Sequence, residues 1–402
     1  MKRPKIALIW KVLIACLLGC LLGGILPVPA IRVFVTFNYI FSQYIGFMVP
    51  LIIVGLVTPS ICRVGNNAGK ILIFTIALAY FSSVLAGTFS YGVSKAAFPY
   101  LLDGVNMNID SADSNDVNPF FTLDIPPVMS VTSALVLAFL TGILLTVTGK
   151  GTLKAAVFDF EELVTKAISS TLIPLLPIYI FGIFLKMACT GEMLPVLNVF
   201  AKIIVAIFAM SAVWLISVFC ISGVISRSNP FKNIVSMLPA YITALGTSSS
   251  AATIPVTLSC VRKCGVSESV GNFSVPLCAS IHMPGSMMKI TACAITIMML
   301  QGTPFTFDLV LRFVMLLAIS AVAAPGVPGG VIMASLGVLS TVLGFDETSL
   351  ALMITLYIVM DSFGTACNVT SDGAAALIID KIFKKSLQKT AQGDAGSHPS
   401  QS

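Results

Sequence analysis

Apolar runs of about 20 residues, long enough to cross a bilayer's hydrocarbon core, recur along this chain from its beginning. They occupy Ile6 to Leu26, Ile40 to Ile61, Ile71 to Ala97, Val128 to Val147, Ala167 to Met187 and Leu194 to Ile225. A run of that length with at most one charge is read as a membrane span, because in lipid the backbone must satisfy its own hydrogen bonds and a helix does so within one segment. With 57% hydrophobic and 10% charged residues, the chain has too few charges to solvate a soluble fold of this size. It reads as an all-α polytopic membrane protein.

Lysine and arginine bias sets orientation. Lys2, Arg3 and Lys5 place the N-terminus in the cytoplasm, and Arg63, Lys70, Lys150, Lys154, Lys166, Arg227, Lys232, Lys381, Lys384, Lys385 and Lys389 fall on the same side as the spans alternate. The stretch from Tyr100 to Pro127 carries five aspartates and no Lys or Arg, as an external loop would. A cleaved signal competes for the first run, but the alternation closes only if that run is kept as a span. The ten cysteines are scattered and only His282 and His398 are histidine, so no zinc spacing is present. Gln388 to Ser402 is polar and reads as a disordered cytoplasmic tail.

Two later segments are too short to cross twice and have like-sided ends. Asn229 to Lys263 has apolar arms around T-S-S-S-A-A-T, and Asp308 to Phe345 has apolar arms around A-P-G-V-P-G-G. Half-length helices that enter and leave on one side satisfy both constraints, the first hairpin from the cytoplasm and the second from outside. Each precedes a span with an interruption or polar residues, Gly271 to Leu300 (broken at H-M-P-G-S) and the helix of Asp361. The expectation is eight transmembrane helices plus two re-entrant hairpins in inverted repeats. Paired interruptions of this kind point to a transporter's central site; ordinary kinked helices are the plainer reading of either one alone. In chain order, residues 1–228 would hold helices 1–6, 229–385 the two hairpins and the last two spans, and 386–402 the tail.

The last span contains D-S-F-G-T-A-C-N-V-T-S-D. Asp361, Thr365, Asn368 and Asp372 recur at i, i+4, i+7 and i+11, a single stripe if the stretch is helical. A carboxylate at bilayer depth costs roughly 2.5–3.5 kcal/mol on insertion scales, so two on one face call for a cation, a proton or a cationic ligand. The alternative is a pair that glues helices together. No H-E-x-x-H, Walker or G-x-S-x-G motif supports an enzyme; a passive channel is a further alternative.

G-T-S-S-S-A-A-T-I-P-V-T, A-A-P-G-V-P-G-G and D-x-x-x-T-x-x-N-V-T-x-D, in that order, resemble the signature segments of the dicarboxylate/amino acid:cation symporters, the glutamate and aspartate transporter family. The resemblance is strongest over residues 230–385. It implies a glutamate-transporter-like fold with much of the scaffold in residues 1–228 and the transport core in 229–385, a homotrimer in the plasma membrane (the inner membrane in a bacterium), and elevator-type alternating access. It also implies that Asp361 receives a substrate ammonium, that Asn368 and Ser250 hold its carboxylate, and that Thr365 lines the side-chain pocket, with Ser249 and the tip residues Gly326, Val327 and Pro328 nearby. Asn368 and Asp372 would join a sodium site completed by backbone carbonyls of the broken span, around His282 and Met283, and backbone carbonyls near Ser335 in the second hairpin would contribute to another. Beyond Na+ or H+ as coupling ion, no cofactor is implied.

The chain departs from the family pattern twice. Members that carry acidic substrates have an arginine where this chain has Gly364, or at the first hairpin's tip where it has Ser248. Without a guanidinium a second substrate carboxylate would be uncompensated, so a small neutral amino acid fits better, unless Lys289 or Arg312 substitutes. The family's N-M-D-G-T is here His282, Met283, Pro284, Gly285 and Ser286, which removes an amide and a carboxylate suited to a hard cation. Fewer sodium ions, or partial proton coupling through His282, would follow, since imidazole changes charge near neutral pH; a structural histidine is the alternative. Lys289 either supplies a fixed positive charge beside the acids or snorkels without a role.

Overall fold

The computed structural model describes residues 8–64, 70–102, 117–148, 151–190, 193–322, 324 and 329–395, which form helices and connecting turns with no strand among them. The helices are α1 (Leu8–Leu22), α2 (Val28–Val64), α3 (Lys70–Leu101), α4 (Val131–Thr148), α5 (Thr152–Ala167), α6 (Ile173–Thr190), α7 (Met193–Ser226), α8 (Pro230–Thr247), α9 (Ser250–Lys263), α10 (Glu268–Ile281), α11 (Pro284–Leu300), α12 (Phe307–Val322), α13 (Gly330–Leu343), α14 (Glu347–Val359) and α15 (Asp361–Ala395). Five helical stretches are long and apolar enough to cross a membrane: Val28–Leu56, Lys70–Leu101, Thr152–Cys189, Asn198–Ser226 and Glu268–Leu300. A bent pair, α14 with the first part of α15, is apolar enough to make a sixth when the two helices are taken as one span. Among the described residues, Trp10–Leu22 and Val136–Leu145 are apolar but shorter.

The chain divides into two compact units. One takes Met1–Asn66, Gly87–Ile207 and Met288–Asp361; the other takes Asn67–Ala86, Phe208–Met287 and Ser362–Ser402. In the first unit α2 packs along α4, α1 along α6, and α12 against α13. Its α5 does not end before the membrane run: a five-residue π-helical stretch, Ile168–Leu172, carries it directly into α6. The apolar run that starts at Ala167 is thus continuous with an amphipathic helix on which Glu162 and Lys166 are exposed and Lys154 and Glu161 half-buried. The α12–α13 pair is the second hairpin. Gly329, which closes its tip, has φ 78°, a left-handed backbone that glycine adopts without a Cβ clash.

In the second unit, α8 and α9 are the first hairpin and pack on each other, with α10 against α9. Asn229 opens α8 by accepting hydrogen bonds from the Phe231 and Lys232 amides at 3.0 and 3.1 Å. Ser248 ends it in a left-handed conformation (φ 50°), and Ser249 caps α9 by accepting from the Ala252 amide. Met237, Ala240, Val261, Val270, Val275, Val369, Leu377 and Ile379 lie in its buried apolar core. The helix that begins at Asp361 runs on to Ala395, past the point where the sequence places the tail's start.

Two helix breaks matter for the site. His282, with φ −101° and ψ 101°, separates α10 from α11, at the H-M-P-G-S interruption. The other separates α14 from α15: Met360 is non-helical and the axes bend by 62°. Asp361 is thus the first residue of α15 rather than part of an unbroken span.

Candidate functional site

In the first unit, the Met360 amide closes the end of α14 by donating to the Leu356 and Tyr357 carbonyls at 3.3 and 3.2 Å. Lys289, from α11, meets that same helix end. Its Nζ lies 3.4 Å from the carbonyl oxygens of both Tyr357 and Met360, to which it donates, and 3.4 Å from the centroid of the Tyr357 ring. A cation suits a helix C-terminus and an aromatic face. The same ammonium reaches Asp361 Oδ1 at 3.4 Å. Asp361 Oδ2 accepts a shorter bond, 2.9 Å, from the amide of Gly329. The Lys289 side chain is 1% exposed and that of Asp361 is 11% exposed. Ser335, fully buried in α13, donates its hydroxyl to the Val331 carbonyl at 2.6 Å. Gly326, Val327 and Pro328 lie outside the described residues.

In the second unit, Asp372 and His282 form a pair buried to within 1–2%. His282 Nδ1 meets Asp372 Oδ1 at 2.8 Å, and its Nε2 meets the Ser82 hydroxyl at 2.8 Å. With Asp372 ionised, Nδ1 donates to it, which fixes the ring's orientation. Residues around His282 solve a second problem, the unpaired amides at the start of α11. The Met283 amide donates to Ser83 Oγ at 3.2 Å, and those of Gly285 and Ser286 donate to Asn368 Oδ1 at 2.7 and 3.3 Å. Asn368 Nδ2 in turn donates to Ser286 Oγ at 3.2 Å and contacts Met283 Sδ at 3.4 Å. The close approach of α11 and α15 depends on Gly285: a Cβ there would stand 2.5 Å from the Gly364 carbonyl oxygen and 2.7 Å from Cys367 Cβ.

The four residues singled out around the second acid, His282, Met283, Asn368 and Asp372, are therefore brought together. Thr365 is also buried. Ser249 and Ser250 open α9 and are partly exposed. Ser248 shares a 2.6 Å hydrogen bond with Ser362. Arg312 is solvent-exposed and paired with Asp308 four residues earlier, so its charge is engaged within its own helix. Sequence reasoning missed Ser82 and Ser83. The signal was adjacent hydroxyls inside an apolar run, Phe81-Ser82-Ser83-Val84. It missed Tyr357 entirely.

The family described as "Sodium:dicarboxylate symporter family" matches residues 8–382. Over 396 aligned residues the chain is 26% identical to a protein named serine/threonine transporter SstT from Acinetobacter baumannii (strain AYE), covering 94% of this chain and 97% of that one. It is 31% identical over 167 residues to excitatory amino acid transporter 3 of Mus musculus, covering 41% of this chain and 32% of the relative. It is 30% identical over 165 residues to excitatory amino acid transporter 2 of Homo sapiens, covering 41% and 29%.

Proposed function

Because the chain belongs to the sodium:dicarboxylate symporter family, we propose that it is a secondary active symporter that takes up a small neutral amino acid, with sodium as the first candidate for the driving ion and protons as the second. The observation that carries the reading is the pair of buried carboxylates on α15, Asp361 and Asp372, in a chain of membrane-length helices. A buried carboxylate calls for a positive partner, a proton or hydrogen-bond donors to offset its lost hydration. An ammonium-bearing substrate at Asp361 and a coupling cation in the Asp372 region would make transport a matter of charge balance.

Asn368 and Ser250 would hold the substrate carboxylate, with Thr365, Ser249, Gly326, Val327 and Pro328 beside them. Asp372, Asn368, Met283 and Ser335 would serve the cation. Both oxygen lone pairs of Asn368 are engaged by the amides of Gly285 and Ser286, so its use as a ligand would require α11 to give up those bonds. His282, in direct contact with Asp372, supports a reduced sodium count. Elevator-type alternating access, a homotrimer, a scaffold before residue 229, and cytoplasmic termini in the plasma membrane complete the reading.

Neutral specificity rests on the absence of a guanidinium at Gly364 and Ser248, on the engagement of Arg312 with Asp308, and on the name of the relative aligned over nearly the whole chain. The second reading, a proton-coupled carrier of glutamate, aspartate or another dicarboxylate, rests on the dicarboxylate in the family's description, on the relatives named excitatory amino acid transporters and on His282. Uptake of labelled L-serine by proteoliposomes, challenged with a hundredfold excess of unlabelled L-aspartate, separates the two. Serine uptake that survives the challenge is expected; aspartate uptake matching that of serine would overturn the neutral assignment.

A further inference from the structure

Lys289 is a fully buried cation that the proposed transport cycle has not used. Its nitrogen lies at 3.4 Å from three oxygens, Asp361 Oδ1 and the carbonyls of Tyr357 and Met360. Charge-assisted N–H to carboxylate bonds contract to about 2.7–2.9 Å when unopposed. Here the ammonium is shared among the carboxylate, the end of α14 and the Tyr357 ring. Asp361 shows the reverse asymmetry. Its Oδ2 is held at 2.9 Å by the Gly329 amide, while Oδ1 has the long contact, and its side chain keeps 11% exposure against 1% for the lysine.

We propose that Lys289 is a tethered stand-in for the substrate's ammonium: it neutralises Asp361 when no substrate is present and yields Oδ1 to an incoming α-ammonium. This rests on the amino-acid reading above. An ammonium free of side-chain tethers can approach Oδ1 at full hydrogen-bond contact. Lys289 then retreats onto the two carbonyls and the Tyr357 ring, which already hold it, and no buried charge is stranded in either state. The lysine therefore competes with amine-bearing substrates, and lowers their affinity in exchange for an empty carrier whose Asp361 is neutralised.

The test compares binding of L-serine with binding of glycerate, the same skeleton with a hydroxyl in place of the ammonium, to the purified full-length protein. Lys289→Met keeps the apolar stem and removes the competitor. Serine Kd is expected to fall about tenfold, the worth of one charge-assisted contact, while glycerate Kd falls by less than about threefold. If Lys289→Met does not fold, Lys289→Arg serves in the opposite direction. Its planar fork can grip Asp361 in a bidentate pair, so serine binding should weaken about tenfold with glycerate little changed. A folded Lys289→Met protein whose serine affinity is unchanged or weaker overturns the inference alone, since a lysine that merely braces the helix break, or that grips the substrate carboxylate, gives that result. A Lys289→Arg protein that binds serine no more weakly than the wild type overturns it in the same way. Serine binding by neither the wild type nor the variant overturns the inference together with the amino-acid reading.

Discussion

Asp361 and Asp372 are carried by one helix and both are buried, yet they are held in opposite ways. Asp372 has a short contact, 2.8 Å, to an imidazole whose other nitrogen is anchored on Ser82. Asp361 has a long contact, 3.4 Å, to an ammonium that two carbonyls and a ring also hold. The first arrangement is closed, with 1% of the aspartate side chain exposed; the second leaves 11%. In a low-dielectric interior the cost of a carboxylate is met by its partner, so how tightly that partner is held sets whether another cation can take its place. A tightly anchored partner yields its carboxylate to another cation only at a larger cost, and a loosely shared one exchanges more readily.

The sharpest way to break that contrast is to remove the anchored partner. His282→Ala strands the Asp372 carboxylate and should cost about 3–5 kcal/mol of stability, read as a large fall in the melting temperature of the detergent-solubilised protein. Added serine should not restore it. Recovery by serine would mean that Asp372, too, faces the amine site. A smaller effect should separate two glycines that border α15. Gly285→Ala meets a backbone oxygen and a Cβ, which cannot swing aside, so a loss of about 1–3 kcal/mol is expected. Gly373→Ala meets only the Met237 side chain, at 2.7–3.0 Å, and a flexible thioether can move, so the loss should stay under about 1 kcal/mol. Equal losses in the two variants would remove the evidence that the α11–α15 contact around Asn368 is the rigid one.

The parts of this fold legible in the sequence were those written in local chemistry. Pro325, Pro328 and the neighbouring glycines marked one hairpin, the run of serines and threonines from Thr247 marked the other, and Pro284-Gly285 marked the break in the seventh span. The break at Met360 was not legible, because the surrounding Ile358, Val359, Ser362 and Phe363 include neither proline nor glycine. It is made tolerable from a distance by Lys289, 71 residues earlier than Met360. The partner of each acid was hidden for the same reason. His282 and Asp372 are 90 residues apart, and a period-3.6 pattern shows which face a side chain occupies without showing what it will meet there. Asn368 was read as a ligand from its place on the stripe; that it also caps the start of α11 required the tertiary structure.

Gradient-driven accumulation of labelled L-serine in proteoliposomes tests the central claim most directly, with an inward sodium gradient in one arm and potassium in its place in the other. The predicted result is internal serine rising above the bath concentration only in the sodium arm and collapsing when an ionophore dissipates the gradient. Serine that merely equilibrates, at the same rate in both arms, would contradict coupled symport and favour a passive pore.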